Sequence, residues 1–282
     1  MSDPVLTVVA SGLGYPEAPR WHNGEVWFTD FVTRQVQSVT AAGEVLAHAY
    51  IPGQPSGLGF LPAGGMVVVS TYDRKLIRRQ GDSLRVFADL AGLANSPLND
   101  MTVTPDGIAY VGAFGLETAY RPHTETGPGM LIMVDPQGRP RVAATDLGVP
   151  NGMAVSADGR QFVVAETRAG RLTAFDIGPD GALAQRRLFT DCGGRFPDGI
   201  AMDIEGAIWL GSPFTEEFVR IADGGRVLET IPTPGRWAIS CTFGGAGLTR
   251  LYCTTARTTR PDLFNGRSEG FLEVTDVSVP GF

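Results

Sequence analysis

A chain of 282 residues with a formal net charge of −7 offers no basic face, which counts against a nucleic-acid partner. Its 37 glycines and 20 prolines suit many tight turns and short strands. Three cysteines are too few and too irregularly spaced for a disulfide framework or zinc site, and no apolar run reaches the roughly 20 residues that cross a bilayer. With no basic-then-apolar leader at the start, the expectation is a cytoplasmic protein of one domain, residues 1–282. A small-molecule substrate is expected, with no membrane partner and a monomeric or homodimeric state.

In chain order, the first element is a lone apolar run, Val5–Ala10. Six copies of one unit follow: YPEAPRWHNGEVWFTD, QPSGLGFLPAGGMVVVST, PLNDMTVTPDGIAYVGAFG, VPNGMAVSADGRQFVVAET, FPDGIAMDIEGAIWLGSP and WAISCTFGGAGLTRLYCTTA. Each is a short apolar strand, a Gly-containing turn and a second strand. Asn-Gly and Asp-Gly between alternating apolar runs are hairpin signals. Outer-strand material such as RQVQSVTAAGEV and GMLIMVDPQGRPRVAATDL follows each copy and supplies two more strands. No stretch carries helical periodicity with caps. The copies repeat at 39, 43, 52, 47 and 41 residues, the period of a four-stranded propeller blade. The predicted fold is therefore all-β, a six-bladed β-propeller. The sixth copy is one strand short, so Val5–Ala10 is predicted to complete it and close the ring. Cys241 and Cys253, on successive strands of that copy, are expected to be buried thiols.

One column of the repeat holds Glu17, Ser56, Asn99, Asn151, Asp198 and Ile239. Around a propeller axis a column becomes a ring. Glu17, Asn99, Asn151 and Asp198 would then converge as a set of oxygen donors for one divalent metal ion. Carboxylate plus amide oxygen suits Ca2+ first, with Mg2+, Mn2+ and Zn2+ as the other candidates. The second strands end in small or polar residues such as Thr29, Thr71, Glu166 and Thr167. These are expected to make inter-strand hydrogen bonds, with Glu166 the candidate exception that reaches the channel.

The segments EAPRW, SPLND, PNGMA and PDGIAMD resemble those of the senescence-marker-protein/gluconolactonase family, with its regucalcin-like and luciferin-regenerating members. The resemblance runs from about Gly14 to Phe271. It implies a six-bladed propeller, a divalent metal held by Glu17, Asn151 and Asp198, and lactone hydrolysis. It also implies that Asn99 contacts substrate or metal-bound water, and that Asp198 accepts the proton of the attacking water. Two departures stand out. Ala18 replaces the usual Gly of EGPxW and is expected to leave the turn intact. Pro97 stands where sugar-lactone members often carry Arg, which favours a less polar or aromatic lactone over a simple sugar lactone.

Asp100 is the alternative proton acceptor, or else an aspartate that bonds turn amides. Arg20 is a candidate for substrate binding at the mouth, and Trp21 is expected to pack between blades; Arg236 and Trp237 present the same choice. The insertion 115–130 contains Tyr120 and His123, candidate substrate-binding residues if it folds over the channel as a lid; the alternative is an exposed loop or one used in subunit contact. His22 and His48 are expected at the surface. Three other readings remain open: a metal-free acid–base enzyme like strictosidine-synthase propellers, a metal-dependent isomerase, dehydratase or cyclase, and a non-catalytic calcium-binding protein.

Overall fold

A computed structural model describes residues 5–94, 96–115 and 128–282. Its strands form six four-stranded antiparallel sheets, the blades of a propeller. Five blades are contiguous in sequence, at 16–50, 55–89, 98–147, 150–191 and 200–232. The sixth takes Trp237–Gly244, Arg250–Arg257 and Glu269–Asp276 from the C-terminal end, and Thr7–Leu13 completes it. That closing strand pairs antiparallel with Glu269–Asp276, Thr7 opposite Val274 and Leu13 opposite Gly270. The ring thus closes as expected, two to three residues later in the chain than Val5–Ala10.

Local chemistry sets the hairpins. Asn23 and Gly24 both take positive φ (51° and 85°) between His22 and Glu25. A two-residue turn of that hand matches the twist of the strands it joins. One turn was not anticipated. The sixth blade carries a five-residue helix, Arg260–Phe264, with Thr259 as its N-cap. The signal was in the sequence, because Thr followed by Pro and Asp marks a helix start, but the helix is too short to show periodicity.

Burial follows the blade interfaces. Each pair of neighbouring blades shares one apolar cluster, such as Leu76, Leu98 and Val111 between the second and third, or Phe28, Val39 and Leu272 across the closure. Fully buried side chains such as Phe28, Phe162, Phe218 and Trp209 each stabilise by about 1.5–3 kcal/mol. A blade alone would leave both faces wet, which is why the unit repeats. Cys241 and Cys253 lie directly opposite each other in the last blade, and all three cysteines are free and buried.

The six inner strands line the axis: Pro16–His22, Pro55–Phe60, Leu98–Val103, Pro150–Val155, Ile200–Met202 and Trp237–Gly244. Five of them break register at the same place, between Glu17 and Arg20, Pro55 and Leu58, Leu98 and Met101, Pro150 and Met153, and Ala238 and Ser240. In the fifth blade regular pairing starts only at Ile200, just past Asp198. A bulge re-aims the side chain it carries. The repeated bulge therefore turns one residue per blade toward the axis.

Candidate metal and substrate site

The column read from the sequence sits at these breaks: Ser56, Asn99, Asn151 and Ile239 lie within them, Glu17 at the edge of one, and Asp198 just before regular pairing begins. Neighbouring inner strands are tied together there. Ser56 Oγ donates to Asn99 O at 2.7 Å, Gly152 N to Asp198 O at 3.1 Å, and Gly199 N to Ile239 O at 2.9 Å. The glycines beside the column permit that approach. A Cβ on Gly152 would sit 2.5 Å from Ile200 N and 2.6 Å from Asp198 O. In the first blade the same place is Ala18, which holds a left-handed φ of 47° with its methyl buried, so the turn survives the replacement of Gly.

Two amides are fixed in orientation by their partners. Thr167 donates its hydroxyl proton to Pro197 O at 2.7 Å, so its oxygen can only accept from Asn151 Nδ2, at 3.1 Å. The other Nδ2 proton goes to Asp198 Oδ1 at 2.5 Å. Asn99 Nδ2 donates to Pro150 O at 3.0 Å, and a backbone carbonyl has no proton to give back. Asn151 thus spends both Nδ2 protons, one on Thr167 and one on Asp198, and Asn99 turns its Nδ2 to Pro150 O, so each keeps Oδ1 for the site.

The acids are buried and repel one another. Burial raises the Glu17 pKa well above the usual carboxylate value, and the charges of Asp198 and Asp100 raise it further. Asp198 is pushed up to about 7, first by burial and then by Asp100, against the bond from Asn151. Burial also raises Asp100, opposed by Arg20 and by Met101 N. Among the described residues no three His, Cys, Asp or Glu side chains form a metal cage. The donor set that fits a cation is mixed: the carboxylates of Glu17 and Asp198 with the amide oxygens of Asn151 and Asn99. Oxygen donors and two negative charges are the chemistry of a hard divalent ion.

Above the column lie two adjoining cavities that share Phe114. The larger, about 390 Å3, has Asn151, Thr167 and Asp198 at its floor. The smaller, about 20 Å3, holds Glu17, Ser56 and Asn99. The larger cavity's walls are aromatic. Phe214 meets Trp237 edge-on at 5.1 Å and Phe196 at 5.5 Å, and Tyr15 meets Trp237 at 6.4 Å. Ile239, the apolar member of the column, is buried with Tyr15 and Phe31.

Several expected site residues stand elsewhere. Arg20 is not at the mouth. It lines a separate cavity of about 410 Å3 at the far end of the channel, formed by the later halves of the inner strands. Its guanidinium donates to Met101 O at 2.6 Å and Pro19 O at 2.8 Å and pairs with Asp100 at 3.4 Å. Asp100 is held from below by Arg20 and accepts from Met101 N at 2.7 Å, so it answers to the turn-amide reading and lines neither mouth cavity. Trp21 stacks on Tyr252, packing between blades as expected. Arg236 turns away to Glu273 at 2.8 Å, whereas Trp237 faces the cavity. Glu166 does not reach the channel. It is buried between Arg171 and Arg186, and bonds from Arg171, Thr173 and Gly148 N outweigh burial and hold its pKa below the usual value. His22 and His48 are partly exposed, and each stacks its ring, on Phe60 and Trp27 at 3.6 and 3.9 Å. Tyr120 and His123 lie outside the described residues.

The aromatic wall was missed, although a signal existed. The residues two before the column are Tyr15, Gln54, Pro97, Val149, Phe196 and Trp237. All but Gln54 line one of the two mouth cavities, so a second column forms a second ring above the first. Arg168, Arg260 and Phe264 complete the rim.

Fold and site together define a propeller with an oxygen-rich axial mouth. The chain belongs to the SMP-30/Gluconolactonase/LRE-like family, whose pattern matches residues 15–257. It is similar to the 6-deoxy-6-sulfogluconolactonase of Pseudomonas putida, 28% identical over 290 residues that cover 100% of this chain and 97% of that one. It is 27% identical to the pentonolactonase XacC of Haloferax volcanii, covering 98% and 96% of the two chains. Among solved structures, a luciferin-regenerating enzyme superposes with a TM-score of 0.85 at 19% identity, covering 99% and 97%, which speaks for the fold.

Proposed function

We propose that the protein is a divalent-metal-dependent lactonase that opens a small cyclic ester at the axial mouth. The observation that carries this reading is two buried carboxylates, Glu17 and Asp198, beside two asparagines whose Nδ2 groups are turned to other partners. The sulfogluconolactonase and pentonolactonase names of its relatives support the reaction class. Glu17, Asn151 and Asp198 would hold the ion, with Asn99 beside it. Once bound, the ion would supply Lewis-acid polarisation of the lactone carbonyl and lower the cost of charge growing on its oxygen.

The remaining work falls to the chain. Asn151 fixes Asp198 through Oδ1, which leaves Oδ2 to accept a proton from water. The water oxygen bonds to the carbonyl carbon and the ring C–O bond breaks. The proton then passes to the departing ring oxygen, giving a hydroxy acid. Asn99 orients the substrate through Oδ1. The aromatic walls exclude water from the rest of the ring, and Pro97 beside Asn99 offers no hydrogen bond to a hydroxyl. Both favour a lactone with an apolar or aromatic portion.

The decisive variant is Asp198→Asn, which keeps an oxygen ligand and removes the base. The expected outcome is a fall in kcat of about 10²- to 10⁴-fold on any lactone the wild type opens, with fold and metal content retained. A variant that keeps its metal and full kcat would overturn the role given to Asp198.

A further inference from the structure

We infer that Arg168 and Arg260 form an anion-binding subsite on the rim, so that the lactone carries an anionic substituent away from its carbonyl. This rests on the lactonase reading for the ring that is oriented, and on the cavity alone for the anion.

Most arginines near the blades are committed. Arg171 and Arg186 meet Glu166, Arg195 meets Glu217, Arg220 meets Asp203 and Arg236 meets Glu273. The two arginines of the mouth cavity differ. Among the described residues, no acid or carbonyl takes up the guanidinium of Arg168, and that of Arg260 only lies over the Phe214 ring at 5.1 Å. A guanidinium does not lose its charge, and a ring face takes up no N–H hydrogen bond of the carboxylate kind, so Arg260 keeps its donors for a ligand.

The two cations sit on different elements. Arg168 follows the second strand of the fourth blade, with its backbone N bonded to Gly148 O, and Arg260 lies on the short helix of the sixth. They converge on one cavity of about 390 Å3, a volume suited to one small molecule. Among the described residues the only acid in that lining is Asp198, which is buried. Charge is therefore ordered along the depth of the cavity: oxygen donors at the bottom, aromatic walls between, guanidinium groups at the top. A ligand complementary to all three layers has a carbonyl at one end, an apolar body and a carboxylate, sulfonate or phosphate at the other. Arg pairs recognise such groups by charge-assisted, often bidentate, hydrogen bonds.

The test uses two readouts on metal-loaded protein and on Arg168→Gln/Arg260→Gln. The first compares kcat/KM for dihydrocoumarin with that for the same ring bearing a carboxylate, at low ionic strength. The anionic ring is expected to be favoured by about tenfold or more in the wild type. The double variant should lose that preference with the neutral ring unaffected. The second readout is calorimetric binding of benzenesulfonate against benzenesulfonamide, which needs no turnover. The sulfonate is expected to bind the wild type and to weaken about tenfold in the double variant. Turnover without anion preference, or sulfonate binding that survives both substitutions, overturns the subsite and leaves the lactonase reading standing. If neither lactone is opened but the sulfonate binds through the two arginines, the subsite stands and the lactonase reading falls.

Discussion

Removing or offering a divalent ion should change stability in a manner set by the buried acids. Asp198 is raised from 3.8 to about 7. At about 1.4 kcal/mol per unit, its ionisation in the metal-free fold costs about 4 kcal/mol. The folded state holds the extra proton between these two values. Stability of the metal-free protein therefore falls as pH rises from about 4 through about 7, and levels off above that. Glu17, raised by burial and by the charges of Asp198 and Asp100, adds to the fall. A cation that neutralises the pair restores the loss, and does so more at pH 8 than at pH 5, where protons compete. At about 2 °C per kcal/mol for a chain of this size, the gain in Tm from Ca2+ at pH 8 is about 8 °C. Thermal unfolding across this pH range, after chelation and again with Ca2+ added, measures both slopes. A metal-free protein whose Tm is flat or rises with pH, or one indifferent to every divalent ion, would refute the reasoning.

Three further outcomes follow from packing and charge. Gly152→Ala drives a methyl into Asp198 O and Ile200 N, so denaturant unfolding should register a loss of about 3 kcal/mol or more, and a near-neutral result would mean the blades can part there. Glu166→Gln leaves Arg171 and Arg186, both partly in water, facing a neutral side chain and should cost about 1–2 kcal/mol while kcat stays at the wild-type value; a selective loss of kcat would return Glu166 to the channel. Trp237→Ala opens the aromatic wall, and KM for dihydrocoumarin should rise about tenfold with kcat retained, the pattern of lost uniform binding. A fall in kcat at constant KM would instead place the indole at the reacting atoms.

Much of the fold was legible because blades repeat. Asn23-Gly24 and the Asp-Gly turns mark hairpins by local conformation alone, and their regular spacing fixes the number of blades. The missing strand of the sixth copy and the unassigned N-terminal run predicted each other, because an unpaired edge demands a partner. The column Glu17, Asn99, Asn151 and Asp198 was visible for the same reason, since symmetry converts an alignment into a ring.

Side-chain direction was not legible, because the bulge after each column residue resets which face the next residues address. Arg20 lies three residues past Glu17, yet it points down the channel to Asp100 and Met101 O rather than into the mouth. Asp100 follows Asn99 directly and turns to its neighbour's amide. Glu166 and Thr167 are adjacent, and one is locked between two arginines while the other orients Asn151. The sequence alone determined the repeat, its closure and the oxygen-bearing column, all of which follow from local turn chemistry and periodicity. Only the tertiary structure decided that Phe214 joins Tyr15, Phe196 and Trp237, which do share a repeat position, and that Arg168 and Arg260 share the rim. Those residues meet through the packing of separate blades, and no periodicity within one blade specifies where the side chains of another will end.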